Sequence, residues 1–140
     1  MKGDTPLHIA ASLGHLEMTK VLLECAKDQR VIEANTPLIE MVNLERDTVL
    51  HAAVRNGHHQ IVELPIDEDQ GLTLLTNNAG ESPLFVAVDR RFEKIIDSIP
   101  TATPKCSYKG RKGMNVMHAA VIRYEETEGF RNSLGLLILT

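Results

Sequence analysis

Blocks of small and aliphatic residues recur along the chain, and each is followed by a second stretch in which apolar residues stand three or four positions apart. The blocks follow Thr5, Thr48, Ser82 and Asn115. The spacing in the second stretches is typical of an amphipathic helix. Apolar positions in these stretches are Met18, Val21 and Leu22, then Ile61 and Leu64, then Ile95, Ile96 and Ile99. The pattern predicts pairs of short helices and an all-α fold.

The four blocks are copies of one unit. They begin at positions 5, 48, 82 and 115, so the intervals between them are 43, 34 and 33 residues. Two intervals match the ankyrin period of about 33 residues, and residues 5–10 spell the T-P-L-H-x-A signature of ankyrin repeats in full. Four copies in register are not plausibly chance.

Each position of the unit has a physical reason. Thr or Ser supplies an N-cap oxygen, and Pro follows where its missing N–H costs nothing. Gly14 and Gly57 end the first helix of their copies, because glycine tolerates the left-handed conformation. Leu and a pair of alanines form a face on which neighbouring helices can approach closely. No copy could bury its apolar face alone, so stacked copies would share one core.

The sequence therefore resembles an ankyrin-repeat protein over most of residues 3–126. The resemblance implies an all-α solenoid of about four stacked helix-turn-helix repeats joined by hairpin loops. We predict a single domain over residues 1–140 with repeats at about 3–28, 45–77, 79–110 and 112–140, and an insertion at 29–43.

Within that family the chain is most similar to plant ankyrin proteins whose repeats precede a membrane-spanning C-terminal domain. The stretches that resemble that group are Gly3-Asp-Thr-Pro-Leu-His-Ile-Ala-Ala, Val54-Arg-Asn-Gly-His-His-Gln and Lys109-Gly-Arg-Lys-Gly-Met-Asn-Val-Met-His-Ala-Ala. The resemblance implies a link to defence and salt-stress signalling. The membrane domain is absent from this sequence.

Several segments depart from the repeat. The first interval holds about ten extra residues, which we interpret as a solvated loop with at most one helical turn; a partner-binding finger is the alternative. Pro65 and Pro100 fall inside second helices, where a proline costs about 3 kcal/mol, so we expect both helices to be shortened and kinked. Arg91 replaces the helix-ending glycine.

The two ends also depart from the pattern. The first repeat begins without a polar capping repeat. After Tyr124 the sequence becomes acidic and then apolar from Leu134 to Leu139. This tail is either the outer helix of the last repeat or the place where a longer protein was cut, and we expect a fragment or truncated product.

Composition and charge exclude several functions. The chain has 140 residues, 43% of them hydrophobic, and 15 Lys and Arg against 19 Asp and Glu give a net charge of −4. This acidic balance and an aromatic content of only 4% argue against nucleic-acid binding. Two cysteines and no N-glycosylation acceptor favour a reducing, cytoplasmic compartment. The sequence shows neither a signal peptide nor an apolar run long enough to span a membrane.

Candidate catalytic and metal chemistry is weak. His8, His51 and His118 occupy equivalent positions in successive layers, roughly 10 Å apart, which is too far to share a zinc ion. We interpret these histidines, and His15 and His58 at second-helix starts, as structural. Cys25 and His15 lack a third residue to orient a base, and the acidic segment 67–69 lacks the spacing of a calcium loop. We predict no catalytic residue, cofactor or metal.

A basic stretch precedes the fourth copy. Lys105, Lys109, Arg111 and Lys112 lie within eight residues without an intervening acid. A solvated hairpin is the simplest interpretation, and contact with an acidic partner or an anionic lipid is the alternative.

The resemblance implies a non-catalytic protein-interaction module that binds partners through a concave face. Contacts in the family come from hairpin tips and exposed ends of first helices. The matching residues here are Asp4, Ser12, Leu13, Asp47, Arg55, Asn56, Glu81, Asp89, Arg90, Met114, Ile122 and Arg123. We expect a monomer that carries the repeats of a larger signalling protein. The alternative is a set of cytoplasmic repeats, at the plasma membrane, that control a missing transmembrane domain.

Overall fold

The computed structural model describes residues 3–28 and 38–123, whose regular secondary structure is helical. The helices are α1 Pro6–Leu13, α2 Leu16–Asp28, α3 Val49–Arg55, α4 His59–Glu68, α5 Pro83–Asp89, α6 Glu93–Ala102 and α7 Val116–Arg123. Short 3₁₀ turns occupy Leu38–Glu40, Gln70–Leu74 and Arg111–Gly113.

The helices form two rows. In the first, α1, α3, α5 and α7 pack side by side in chain order, and in the second α2, α4 and α6 do the same. Each of α1, α3 and α5 also packs against the helix that follows it. We call these the inner row and the outer row. The arrangement confirms the predicted all-α stack of helix pairs.

Side-chain caps start the inner helices where the repeated unit places them. The Thr5 hydroxyl accepts the His8 backbone N–H, while the Thr5 backbone N–H donates to His8 Nδ1. Thr48 and His51 make the same reciprocal pair at the start of α3. Such a cap satisfies two backbone donors that the first helical turn would otherwise leave free.

The ends of the inner helices follow the same logic with one departure. Gly14 and Gly57 have φ values of 79° and 75°, as the sequence predicts. Arg91 occupies the equivalent position with φ 63°. The left-handed conformation costs a residue with a Cβ about 1–2 kcal/mol. The turn therefore keeps its shape in the third repeat at the expense of local strain.

The core lies between the rows and runs through all described layers. Leu7, Leu50 and Leu84 are fully buried, and Met117 packs against the same cluster from α7. The outer row contributes its own buried residues, among them Ile61, Ile66, Ile95, Ile96 and Ile99. The equivalent inner-row residues Leu7, Leu50, Leu84 and Met117 form one interior ridge. The apolar face of each helix pair is therefore covered by its neighbours.

The two interior prolines are accommodated within their helices. Pro65 lies in α4 and Pro100 in α6, and both helices have 10 residues against 13 in α2. The predicted shortening is therefore seen, while the kink stays a prediction. Neither helix ends at its proline, because the Pro65 carbonyl accepts the Asp69 N–H and the Ile99 carbonyl accepts the Thr103 N–H beyond each proline.

The insertion and the tail are described only in part. Residues 38–43 of the insertion contain the 3₁₀ turn Leu38–Glu40, whereas 29–37 lie outside the described residues. The predicted tail, which follows Tyr124, also lies outside them. The predicted boundaries of the single domain and of its repeats stay a prediction.

The junction between the third and fourth repeats uses different chemistry from the first two. Phe85 stands where those repeats have His8 and His51, and a phenyl ring can donate no hydrogen bond to the next hairpin. Instead, Phe85 packs against Gly110, and the Arg111 guanidinium lies 5.4 Å from the centre of the Phe85 ring. A cation over an aromatic face is attracted by the ring quadrupole. Contacts among Phe85, Gly110 and Arg111 thus take the place of the histidine bond found at the first two junctions.

Gly110→Ala tests this junction. A Cβ at position 110 would lie 2.2 Å from two ring carbons of Phe85, so we expect the free energy of unfolding to fall by about 1–3 kcal/mol, as for other overpacked cores. Urea unfolding followed by circular dichroism measures the loss. Lys109→Ala, next to it but exposed, should change stability by less than about 0.5 kcal/mol. In a Phe85→Leu background the same Gly110→Ala change should cost less; an undiminished cost would show that the ring is not the obstacle.

Candidate protein-binding surface

The residues predicted to contact partners differ widely in exposure. Leu13, Asn56, Arg90 and Ile122 are exposed, Leu13 at 55% and Ile122 at 60%. The half-buried residues are Asp4, Ser12, Arg55, Asp89 and Met114. Asp47 and Glu81 are buried, with exposures of 1% and 9%. The side chain of Arg123 lies outside the described part of the chain. We call the solvent side of the inner row, together with its hairpins, the inner-row surface.

Five of the predicted residues come together in one cleft. Its volume is about 250 Å³, and it lies between the first and second repeats. The predicted residues that line it are Asp4, Ser12, Asp47, Arg55 and Asn56. Asn43, Glu45 and Ala52 complete the lining and were not predicted. The cleft is therefore built from two inner helices and the hairpin between the repeats.

A buried carboxylate organises one wall of this cleft. Both guanidinium nitrogens of Arg55 donate to the Asp47 carboxylate, Nη2 to Oδ1 at 3.1 Å. Asn77 Nδ2 donates to the same Oδ1 at 2.9 Å and to Glu81 Oε1 at 3.1 Å. Arg55 Nη2 also lies 3.8 Å from Glu81 Oε1. The second and third repeats are thus joined by a polar network that reaches from α3 to the next hairpin.

The network continues into the fourth repeat through Arg111. Its Nη1 donates to Glu81 Oε2 at 2.8 Å and to Asp89 Oδ2 at 3.1 Å, and its Nη2 to Asp89 Oδ1 at 3.3 Å. Two arginines and three carboxylates therefore alternate along the inner-row surface. Such paired charges are positioned by one another, and their role as partner contacts stays a prediction.

Two asparagines that the sequence analysis missed hold the hairpins. Asn43 Oδ1 accepts the backbone N–H groups of Glu45 and Asp47, and Asn77 Oδ1 accepts those of Ala79 and Glu81. The signal was available, because each asparagine stands four residues before the acidic residue that precedes an N-cap. Asn43 Nδ2 also donates to Asp4 Oδ1 at 2.9 Å, which ties the first repeat to the second.

The network fixes the charge of its members. Burial alone would raise the pKa of Asp47, but hydrogen bonds from Arg55 and Asn77 outweigh it and hold that pKa below its usual value. For Arg55, burial opposes the charged form, and the bond to Asp47 overcomes it, so its pKa is raised. Both groups therefore stay ionised at neutral pH.

The histidines of the first two layers bond the neighbouring backbone, which agrees with the structural role predicted for them. His8 Nε2 lies 2.8 Å from the Asp47 carbonyl oxygen, and His51 Nε2 lies 2.9 Å from that of Glu81. Because Nδ1 accepts the cap N–H, Nε2 carries the proton and donates it. His58 Nε2 similarly lies 2.9 Å from the Ser12 carbonyl oxygen, and a Cβ on Gly14 would lie 2.7 Å from the His58 ring. His118 is exposed and pairs with Asn115. Within residues 3–28 and 38–123, no group of three potential ligands is placed to hold a metal ion.

Other singled-out residues have plain structural surroundings. Cys25 is exposed on α2, and Cys106 is buried, which raises its pKa to about 11. The Asp69 carboxylate accepts the Gly71 N–H at 2.9 Å and so caps the turn at Gln70–Leu74. In the basic stretch, Arg111 is paired, whereas Lys105, Lys109 and Lys112 are exposed. In the described part of the chain, no helix is both long and apolar enough to cross a membrane.

Comparison with known proteins agrees with the fold. The family model of the ankyrin repeat matches residues 2–31 and 45–67. The chain is an ankyrin-repeat protein. Its relatives include the Protein ACCELERATED CELL DEATH 6 of Arabidopsis thaliana, which is 30% identical over an alignment of 135 positions that covers 85% of this chain. Rabankyrin-5 of Mus musculus is 28% identical over 120 residues, again 85% of the chain. A homologue of Transient receptor potential cation channel subfamily A member 1 from Caenorhabditis elegans is 29% identical over 110 residues, or 76% of the chain.

These relatives are much longer than the matched region. The ankyrin-repeat chain spans 19% of the Arabidopsis protein, 9% of the mouse protein and 8% of the nematode protein. What is common to them is therefore the repeat array. Ankyrin repeats are protein–protein interaction modules, so the inner-row surface is the candidate site.

Arg55→Ala should destabilise the ankyrin-repeat chain more than a substitution at an exposed position does. Removing the guanidinium leaves the buried Asp47 carboxylate without its charged partner. We expect a loss of about 1–3 kcal/mol in the free energy of unfolding, measured by urea denaturation. Arg90→Ala is the matched control, because Arg90 is exposed, and it should stay within about 0.5 kcal/mol. Equal losses in the two variants would contradict a structural role for Arg55.

His51 should make stability fall on mild acidification. Burial lowers the pKa of His51 below 6.5, although the Glu81 carbonyl and Asp47 oppose it. The unfolded chain therefore takes up this proton first as the pH falls below that value, and the free energy of unfolding decreases. Urea midpoints at about pH 7.5 and about pH 5.5 measure the effect. His51→Gln should show a smaller drop between the two pH values than the unmodified chain, whereas His15→Gln, at an exposed position, should show the same drop. If the free energy of unfolding of His51→Gln fell as much as that of the unmodified chain, a group other than His51 would cause the pH dependence.

Proposed function

We propose that the chain is a non-catalytic module that binds a protein partner through the concave face formed by its inner-row surface. The observation that carries this proposal is the cleft of about 250 Å³ that gathers residues from two inner helices and a hairpin. Exposed aliphatic side chains lie on the same surface, with Leu13 at 55% and Ile122 at 60% exposure. A recessed polar cleft and exposed apolar side chains on one surface suit a specific protein interface.

We further propose that the module is a monomeric part of a larger signalling protein. The support is the length of the relatives, since the chain spans only 19% of the Arabidopsis protein. Similarity to that protein, together with the likeness to plant ankyrin proteins with a membrane-spanning domain, favours a role in stress or defence responses. In this proposal the repeats lie in the cytoplasm, where the two free cysteines would stay reduced. Regulation of a transmembrane domain outside this sequence is the alternative role.

The test compares two double variants. Leu13→Ser with Arg90→Ala alters exposed positions of the inner-row surface, and Met18→Ser with Lys94→Ala alters similarly exposed positions of the outer row. Each chain is immobilised and used to capture proteins from extracts of the cells that express it, and captured proteins are quantified by mass spectrometry.

We expect the inner-row variant to lose partners that the outer-row variant retains, because only the first pair touches the proposed interface. Unchanged circular-dichroism melting curves show that both variants are folded. Partners that are lost only from the outer-row variant would place the binding surface on the opposite side and refute the proposal.

A further inference from the structure

One small residue of the second repeat, Ala52, lines the cleft. Ala52 lies four positions after its N-cap, where the first and third repeats have Ile9 and Val86. Asn56 Nδ2 donates to the Ala52 carbonyl at 2.9 Å, so the amide oxygen of Asn56 is its remaining acceptor. The short side chain of Ala52 leaves space beside Ser12 and Arg55.

The size of the cleft limits its occupant. An apolar cavity of about 150 Å³ holds a benzene molecule, so a cleft of about 250 Å³ accommodates one long side chain. It is open to solvent on the inner-row surface, which allows an extended segment to cross it and insert a side chain.

The charges of the cleft favour a cation. The lining contains Asp4, Glu45, Asp47 and one arginine, Arg55. Arg55 is already bound to Asp47 and lies 3.8 Å from Glu81, so its charge is offset from within the fold. Asp4 accepts one hydrogen bond, from Asn43, and within residues 3–28 and 38–123 neither Asp4 nor Glu45 forms an ion pair. Two carboxylates therefore remain uncompensated at the rim.

The field of the rim extends into the cleft. Glu45 is the weakest of the groups that raise the pKa of Arg55, so its negative charge favours a cation at that wall of the cleft. An incoming anion would meet the Asp4 and Glu45 carboxylates, while the one cation of the lining, Arg55, is already paired with Asp47. An incoming ammonium or guanidinium group would find carboxylate, hydroxyl and amide oxygen acceptors.

We propose that the cleft receives a lysine or arginine side chain from an extended segment of the protein partner. This inference rests on the proposed function and adds the chemistry of the partner. The cation lies between the rim carboxylates, its aliphatic stem fills the space over Ala52, and the exposed residues around the cleft contact the rest of the segment. Electrostatic complementarity of this kind sets register and specificity.

The test lets the cleft select its own occupant. A phage-displayed library of random peptides is panned on the immobilised chain, and the enriched peptides are sequenced. We expect Lys or Arg at one fixed position of the enriched set. Enrichment of Asp or Glu, or a set without a fixed cationic position, overturns the proposal.

Variants then locate the cation in the cleft. Ala52→Val, which copies Val86 of the third repeat, fills the space and should weaken a selected peptide by about tenfold, whereas Glu45→Gln should weaken it by a few-fold. Ala79→Val and Glu63→Gln, both at exposed positions outside the cleft, should change affinity less than about twofold. Fluorescence polarisation of labelled peptide measures each dissociation constant.

Replacing the fixed Lys of the peptide by norleucine should cost as much as Ala52→Val, and the two changes together should cost little more than either alone. Independent, fully additive losses would place the cation outside the cleft. Failure here is distinguishable from failure of the proposed function. A peptide that is sensitive to Leu13→Ser with Arg90→Ala, but not to Ala52→Val, binds the inner-row surface by other contacts. A peptide sensitive to neither refutes both.

Discussion

Burial between neighbouring helix pairs is the constraint on which this structure depends. An inner helix of seven or eight residues is too short to be stable alone in water, and one helix pair has no interior of its own. Leu7, Leu50 and Leu84 become fully buried only because the next layer covers them. Stability is then approximately a sum of repeats and junctions, and every departure from the repeat acts on a particular junction.

The described junctions all join one repeat to the next hairpin, but they use different interactions. Between the first and second repeats, and between the second and third, a buried histidine crosses to the next hairpin backbone. Between the third and fourth, Phe85, Gly110 and Arg111 replace it with ring packing and a cation over the ring. Arg111 compensates in a second way. Gly110 stands where the earlier hairpins have Asn43 and Asn77, and it has no amide to bond a carboxylate as Asn77 bonds Asp47. Arg111 binds Glu81 and Asp89 instead. The loss of one polar residue is therefore balanced by its neighbours.

The repeated unit predicted the fold because its residues act locally. A Thr cap, a left-handed glycine and a buried Leu need only their own turn and the next copy, so their positions follow from sequence spacing. The binding surface was less predictable. Asp47, Glu81 and Arg55 are predicted contacts, yet Arg55 binds Asp47 within the second repeat and lies 3.8 Å from Glu81 of the third. A sequence gives the register of such charges but not their partners. The sequence does not distinguish Ala52, because a methyl side chain within a pair of alanines forms no motif of its own.

The paired charges and the cleft are consequences of one arrangement. Asp47 must stay ionised to hold Arg55 and Asn77, and these groups in turn offset its charge. That internal balance offsets the positive charge of Arg55. The carboxylates of Asp4 and Glu45 then dominate the rim, so the same network that joins the second repeat to the third gives the cleft its preference for a cation. Structural stability and recognition therefore share residues here. A variant of the charged network tests both properties together, whereas a change at Ala52 alone tests the cleft.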